Sequence, residues 1–376
     1  MKDFWAEELQ NQRKGKLLKV AILIVILLII IAFAVLIVVY FQNTDFRKWC
    51  DENIIKKEIQ QENTKYIDID GDDNTKVYAY DKYICVYRKK VLEFYNRAGE
   101  KSGSIELSIN NPMFTTAGRY LAICEENGQK FYLITGKEKV FENEIEGNIK
   151  QINVSKNGYV SVVISNTSYK SIVDVFDGSG KEIFKTNLMS RVVDISISQD
   201  NKYLAIAEVD LSGIIIKSRI QIISIELAKT DSEKAIQYKY EATNNKLIMN
   251  IEYQEQNNKE IESFKNKKIS FMTVQLNNRI TLLEEKSTGE YTADTKVRII
   301  DPVTLKEKEY TINGVAKAIT TSENRIAINL GSELHIISKN GILLQKYISK
   351  TEINDVVMTD GVVGVVYRDK IQIIDL

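Results

Sequence analysis

A seven-residue unit recurs along this chain and limits the folds open to it more than any other feature. One or two turn residues are followed by an apolar residue, a small residue and a second apolar residue. The clear copies are Asp81-Lys-Tyr-Ile-Cys-Val-Tyr87, Gly118-Arg-Tyr-Leu-Ala-Ile-Cys124, Asn157-Gly-Tyr-Val-Ser-Val-Val163 and Asn201-Lys-Tyr-Leu-Ala-Ile-Ala207. Weaker copies begin at Asn266, Glu323 and Asp360. The fourth and sixth positions are apolar throughout, and the fifth holds Cys85, Ala122, Ser161, Ala205, Ser270, Ala327 and Gly364. A strand packed on both faces loses its polar alternation, and a small central side chain lets neighbouring sheets approach. The unit therefore reads as an inner strand of a blade.

Another short strand precedes each copy, as at 149–155 and 192–198, and an alternating strand with a turn follows. Val173-Asp-Val-Phe-Asp-Gly-Ser-Gly180 and Leu334-His-Ile-Ile-Ser-Lys-Asn-Gly341 are examples, with Asp, Asn and Gly supplying the turn geometry. Four strands per repeat is the propeller unit. The copies start 37, 39, 44, 65, 57 and 37 residues apart, so insertions are expected around the fourth and fifth. The expected fold is all-β, a seven-bladed β-propeller over 64–376, with six or eight blades if the Asn266 copy is misread. A pair of sandwiches is the competing all-β arrangement. After the last copy only Lys370 to Leu376 remains, one strand short of a blade. Lys65-Tyr-Ile-Asp-Ile-Asp70 can fill that gap and remove an exposed edge.

Ahead of the repeats, every residue from Val20 to Phe41 is apolar or aromatic. At about 1.5 Å per residue a helix there is roughly 33 Å long, enough for a hydrocarbon core of about 30 Å. Ala32-Phe33-Ala34 resembles a signal-peptide processing site, but cleavage there would leave an apolar terminus at 35–41. Arg13, Lys14, Lys16 and Lys19 crowd one flank, whereas Gln42, Asn43, Thr44 and Asp45 follow the other. Basic flanks resist translocation. The expected order is a cytoplasmic tail at 1–19, one transmembrane helix at 20–41, an extracytoplasmic helical stalk at 42–63 and the propeller outside the cell membrane.

An apolar N-terminal segment followed by this repeat resembles the membrane-anchored β-propeller proteins of unknown function found in Gram-positive bacteria. Asn201 to Ile225, with Lys-Tyr-Leu-Ala-Ile-Ala and Lys-Ser-Arg-Ile-Gln-Ile-Ile, carries the resemblance most clearly. It implies the fold and the anchor and brings no activity. The blades are more distantly similar to WD40-type and quinoprotein-type propellers. Trp5 and Trp49 both lie outside the blades, which counts against a quinone held by tryptophan-rich blades.

Chemistry is sparse. With 51 basic and 51 acidic side chains the chain has no net field to draw nucleic acid. The single histidine, His335, reads as a strand position, so a histidine-based triad or a multi-histidine metal site cannot be assembled. Asp68-Ile-Asp-Gly-Asp-Asp-Asn74 invites a calcium reading, but Gly71 is misplaced and Ala79 stands where a bidentate Glu would close the loop, so a polar turn is expected. Cys85 and Cys124 are expected as buried thiols. No cofactor is implied.

Loops joining second and third strands emerge on the face that propellers use for ligands. They carry Arg88, Lys89 and Lys90 in the first blade and Arg368 and Lys370 in the last, which a closed ring brings together as a candidate anion-binding site. The segments Lys229 to Lys246, Glu255 to Lys267 and Glu284 to Lys296 read as polar insertions. The leading functional expectation is a non-enzymatic binding or scaffolding module that holds an envelope protein or a cell-wall ligand. The alternative is a carboxylate-dependent hydrolase with its site in the propeller channel. Oligomeric state is open.

Overall fold

Apolar-small-apolar segments become strands buried on both sides, and these strands organise the domain. The computed structural model describes residues 22–40, 46, 50, 54, 65–70, 75–213, 216–231, 233–242, 248, 269–276, 279–287, 293–301, 304, 306–322, 324–359 and 361–376, with backbone alone at 269–287 and 293. Helix α1, Ile22–Tyr40, holds 19 residues, long and apolar enough to cross a membrane. The expected stalk at 42–63 lies outside the described residues except Phe46, Cys50 and Ile54.

After β1 (Lys65–Asp68) the strands form antiparallel sheets of four. Sheet 1 holds β2 (Lys76–Tyr80), β3 (Tyr83–Arg88), β4 (Val91–Tyr95) and β5 (Lys101–Glu106). Sheet 2 holds β6 (Pro112–Ala117), β7 (Tyr120–Glu125), β8 (Lys130–Thr135) and β9 (Glu138–Glu144). Sheet 3 holds β10 (Asn148–Val154), β11 (Val160–Ser165), β12 (Ser171–Phe176) and β13 (Glu182–Leu188). Sheet 4 holds β14 (Arg191–Ile197), β15 (Tyr203–Asp210), β16 (Lys217–Ser224) and β17 (Ile236–Glu241), with the single-turn helix α2 (Ile225–Ala228) before its last strand. Sheet 5 holds β18 (Ile269–Leu276), β19 (Arg279–Ser287), β20 (Ala293–Ile300) and β21 (Glu307–Asn313). Sheet 6 holds β22 (Ala318–Thr321), β23 (Arg325–Asn329), β24 (Glu333–Ser338) and β25 (Leu343–Ile348). Sheet 7 holds β26 (Asp355–Thr359), β27 (Val362–Val366) and β28 (Lys370–Asp375), and β1 completes it as the fourth strand.

Each sheet is consecutive except the last, whose register pairs Lys65 with Ile373 and Asp68 with Lys370. The N-terminal strand thus fills the gap that the sequence leaves at the C-terminus. Separate apolar clusters lie between sheets 1 and 2, 2 and 3, 3 and 4, 5 and 6, 6 and 7, and 7 and 1. Cys85, Ala122, Ala327 and Gly364 at the small fifth position sit at these contacts. Cys85, Ala122, Ser161 and Ala327 are wholly buried. A Cβ on Gly364 would come within 2.9 Å of Val357 and 3.3 Å of Ile84 in sheet 1, closer than packed carbons tolerate.

Three sequence expectations are corrected. The Asn266 copy does not lie on a second strand, because Ile269–Leu276 is the first strand of sheet 5. The equivalent position falls on Asn277-Asn-Arg-Ile-Thr-Leu-Leu283, where Thr281 pairs with Ile299 as Cys85 pairs with Phe94. Ser270 misled because an apolar-small-apolar triplet is not confined to second strands. The segment 229–246 is not a free insertion, since Ala235 is buried and Ile236 packs on the cluster between sheets 3 and 4. The segment 284–296 belongs to the β19–β20 hairpin. Residues 255–267 lie outside the described residues.

A polar side chain occupies one position on the third strand of every sheet, beside the partner of the small residue: Glu93, Tyr132, Asp174, Gln221, Arg298, His335 and Gln372. Buried polar groups need partners, and these find them nearby. Tyr132 Oη donates to Glu142, Gln221 donates to Glu208 at 2.6 Å, and Arg298 is bidentate to Glu307 at 2.5 and 2.7 Å. Two of the contacts cross between sheets. His335 Nδ1 lies 3.0 Å from Tyr310 Oη of sheet 5, and Tyr347 of sheet 6 donates to Gln372 at 2.7 Å. His335 is therefore a satisfied strand residue, as expected.

Asp174 is the least comfortable of the seven. It is wholly buried, and Lys185 Nζ reaches Oδ2 at 3.0 Å without the alignment of a good hydrogen bond. Burial outweighs the Lys185 charge and pushes the carboxyl up to about 7, from an ordinary value of 3.8. A raised carboxyl pKa contributes stability that is fully present below the unfolded value and is lost as pH rises through about 7. The domain should therefore melt at a higher temperature at pH 5 than at pH 8, and Asp174→Asn should flatten that difference in calorimetry. Separately, Ile67→Ala should cost about 2–4 kcal/mol in urea unfolding. Deleting 371–376 should abolish the cooperative melt, because β1 then has nothing to pair with.

Candidate functional site

Two loops carry the candidate cations. Arg88 ends β3 and Val91 begins β4, so Lys89 and Lys90 are the central residues of a two-residue hairpin turn. Both have positive φ, at 50° and 65°. That geometry matches the strand twist but favours Asn-Gly, and two lysines in it hold strain of about 1 kcal/mol each. Residues 367–369 join β27 to β28 and carry Arg368.

β1 brings the loops together. Arg88 Nη1 donates to the Asp68 carbonyl at 3.4 Å, and Asp68 is the register partner of Lys370. Ile69 N donates to Asp369 O at 2.9 Å. The five cations nonetheless do not form one open cluster. Arg88 is bound at 2.9 Å to Glu93, which also takes Lys101 at 2.6 Å and Tyr95 at 3.0 Å. Burial raises the Glu93 carboxyl, but hydrogen bonds from Lys101 and Tyr95 and the Arg88 and Lys101 charges outweigh it, leaving the group below its ordinary range. Lys89 lies 3.3 Å from Asp70, whose carboxyl is lowered first by a hydrogen bond from Thr75 and further by Lys89. Lys370 Nζ stands 4.9 Å over the Tyr66 ring and 5.9 Å over the Tyr367 ring, a cation–π arrangement. Lys90 and Arg368 are exposed and make no ion pair among the described residues. Arg88 and Lys370 thus fasten the junction of sheets 7 and 1, while Lys89, Lys90 and Arg368 face solvent around it.

The other sequence candidates fall into place. Asp70 accepts from Thr75 at 3.1 Å, as a polar turn would, and residues 71–74 lie outside the described residues. Among the described residues no group of three or more His, Cys, Asp and Glu is arranged to hold a metal. Cys85 and Cys124 are buried free thiols, and burial pushes Cys124 up to about 12 and Cys85 higher still. On the first strands, Asp194 accepts from Gln151 of sheet 3 at 2.7 Å. Asp355 is raised by burial, with an opposing bond from the Val356 amide.

Sequence reasoning missed the polar third-strand positions, although their signal is present as an interrupted apolar triplet. Leu92-Glu-Phe94, Val173-Asp-Val175, Leu334-His-Ile336 and Ile371-Gln-Ile373 all show it. It also missed Glu208, which is wholly buried and held by Ser190, Arg219 and Gln221.

Replacing Arg88 by Ala should cost about 1–3 kcal/mol by leaving the buried Glu93 short of a partner. Lys89→Asn with Lys90→Gly should raise stability by about 1–2 kcal/mol by relieving the turn. Urea titration of both variants checks the pair of opposite signs.

The family described as "Family of unknown function (DUF5711)" matches residues 55–376. No curated protein matches the chain significantly. Among solved structures, hydrazine synthase of Kuenenia stuttgartiensis is similar at 11% identity and a TM-score of 0.47, with 85% of this chain and 99% of that chain covered. The β-propeller domain of Cps50 (Swd1) from Myceliophteria thermophila is similar at 10% identity and a TM-score of 0.48, covering 83% and 99%. BBS1N, solved in complex with ARL6DN, is similar at 10% identity and a TM-score of 0.42, covering 82% and 96%.

Proposed function

We propose, for a chain that belongs to the DUF5711 family of unknown function, that it is a membrane-anchored binding or scaffolding module whose sheets close as a seven-bladed ring. The observation that carries this reading is the pairing of β1 with β28: the strand that follows the apolar helix is also the strand that completes the last sheet. The six observed sheet contacts run in the order 5-6-7-1-2-3-4, and a contact between sheets 4 and 5 would close the circle. A closed ring is rigid and leaves few free edges.

Helix α1 spans about 28 Å at 1.5 Å per residue, close to a hydrocarbon core. The Ala32-Phe33-Ala34 triplet lies inside it, which favours retention over cleavage. With four basic residues on the N-terminal flank, the tail at 1–19 faces the cytoplasm and the domain lies outside. Strand direction adds a constraint. Turns between second and third strands, and connections between sheets, share one end of every sheet, here called the upper end. β1 runs antiparallel to β28 and starts beside Ile373, at the lower end. The chain therefore enters the domain at the lower end, and the upper loops lie at the opposite end. They hold Lys89, Lys90 and Arg368, which we take as the contacts for an anionic group on an envelope protein or cell-wall ligand.

Two measurements test the reading. The domain should stay with membranes after alkaline wash and be digested by protease added outside intact cells. Lys90→Glu with Arg368→Glu should abolish cross-linking to envelope partners in native membranes while leaving the melt unchanged. A domain protected from outside protease would overturn the orientation, and undiminished cross-linking would overturn the site.

A further inference from the structure

We propose, resting on the reading of this chain as a binding module, that the upper end of sheets 3 and 4 is a docking surface for an acidic protein segment that also carries apolar side chains. The surface is continuous through its own backbone pairing. Ser171 pairs with Leu188, which sets the preceding Tyr169 and Lys170 beside the following Met189. Val192 N donates to Ser171 Oγ at 3.0 Å and holds the start of sheet 4 against sheet 3. Arg191 stands opposite Val209, and Asp210 opposite Lys217, where β15 turns into β16. Leu211 and Ile216 flank that turn.

Tyr169, Met189, Leu211 and Ile216 are 37%, 69%, 47% and 49% exposed. The turn reads Leu-Ser-Gly-Ile-Ile-Ile from Leu211 to Ile216, where a solvated turn is ordinarily polar. The start of the turn does not require the Leu211 side chain, because Asp210 Oδ1 accepts from Ser212 N at 3.0 Å and Ser212 Oγ at 2.6 Å. Contiguous exposed apolar side chains with a polar rim mark an interaction site.

Charge selects the occupant. Lys170 and Arg191 are exposed and belong to no ion pair among the described residues, whereas Lys217 lies 3.7 Å from Glu241. Arg191 has no carboxylate opposite it, and Lys170 shares Asp210 with Arg219, which lowers the Asp210 carboxyl only after its bonds from Ser212. These exposed cations beside an apolar patch call for carboxylates on the partner, which would fix register while apolar contact supplies affinity. An anionic bilayer offers similar chemistry, but neighbouring carboxylates count against it. Glu125, Glu126 and Glu146 occupy the same end of sheets 2 and 3, where a flat anionic surface would press on them. A protein segment can follow the local charge pattern.

The test uses the full-length protein in nanodiscs of neutral lipid, with two fluorescent synthetic peptides, one alternating Glu and Leu and one alternating Lys and Leu. The acidic peptide should bind and the basic one should not. Leu211→Ser with Ile216→Ser, and separately Lys170→Glu with Arg191→Glu, should each weaken binding at least tenfold without moving the melt. Equal binding of both peptides, no binding of the acidic one, or no change in either variant overturns the proposal. In native membranes, a photo-reactive residue at position 211 should then give an adduct with a second protein that excess acidic peptide suppresses. An adduct of twice the chain mass, an adduct to residues 249–268 of the same chain, or an adduct to lipid overturns it in favour of those occupants. Adducts from position 90 but not 211 overturn this surface and leave the binding module standing; adducts from neither overturn both.

Discussion

Antiparallel pairing between β1 and β28 is the interaction on which the rest of the domain depends. It joins residues 65–68 to 370–373, across a loop of roughly 300 residues whose closure costs on the order of 5 kcal/mol in chain entropy. The ladder alone does not offset that. Ile67, Ile371 and Ile373 are buried together with Ile84 and Tyr95 of sheet 1, and each buried isoleucine contributes about 2 kcal/mol. The closure is therefore favourable by little, and the surrounding polar contacts matter. Arg88 reaching the Asp68 carbonyl and Lys370 over Tyr66 both fasten β1 to its neighbours.

The basic residues gathered there accordingly divide into two sets. Arg88 and Lys370 are drawn inward by Glu93 and by aromatic rings, while Lys90 and Arg368 remain outside. The strained Lys89-Lys90 turn fits the same picture: a turn selected for folding alone would carry Asn-Gly, and strain of this kind is commonly kept where a side chain is used. The junction of sheets 7 and 1 and these exposed basic loops thus lie at the same place, next to the strand that follows helix α1.

Much of this is legible in the residues, and the limits are physical. Cys85, Ala122, Ser161, Ala205 and Ala327 announce the second strands because tight packing admits only small side chains there. Thr281 does not, being larger, and Ser270 on a neighbouring first strand took its place in the pattern. The gap after Lys370 and the surplus strand at Lys65 predict each other, and the register bears this out. The polar third-strand residues were present as triplets but become a set only when the repeats are aligned by pairing. Whether the loop cations cluster could not be read from spacing, because it depends on Asp68 and Glu93, one of them placed by a strand paired roughly 300 residues away along the chain. The patch at Tyr169, Met189, Leu211 and Ile216 is likewise assembled from three loops.

The central claim is that the strand following helix α1 is an integral part of the last sheet. Amide hydrogen exchange tests it most directly, because exchange reports the opening free energy of each segment. Amides of Lys65 to Asp68 that bond β28 should exchange as slowly as those of β27 and β28, through global unfolding. Fast exchange across 65–68 alongside slow exchange in β28 would show that the seam is open and would contradict the account.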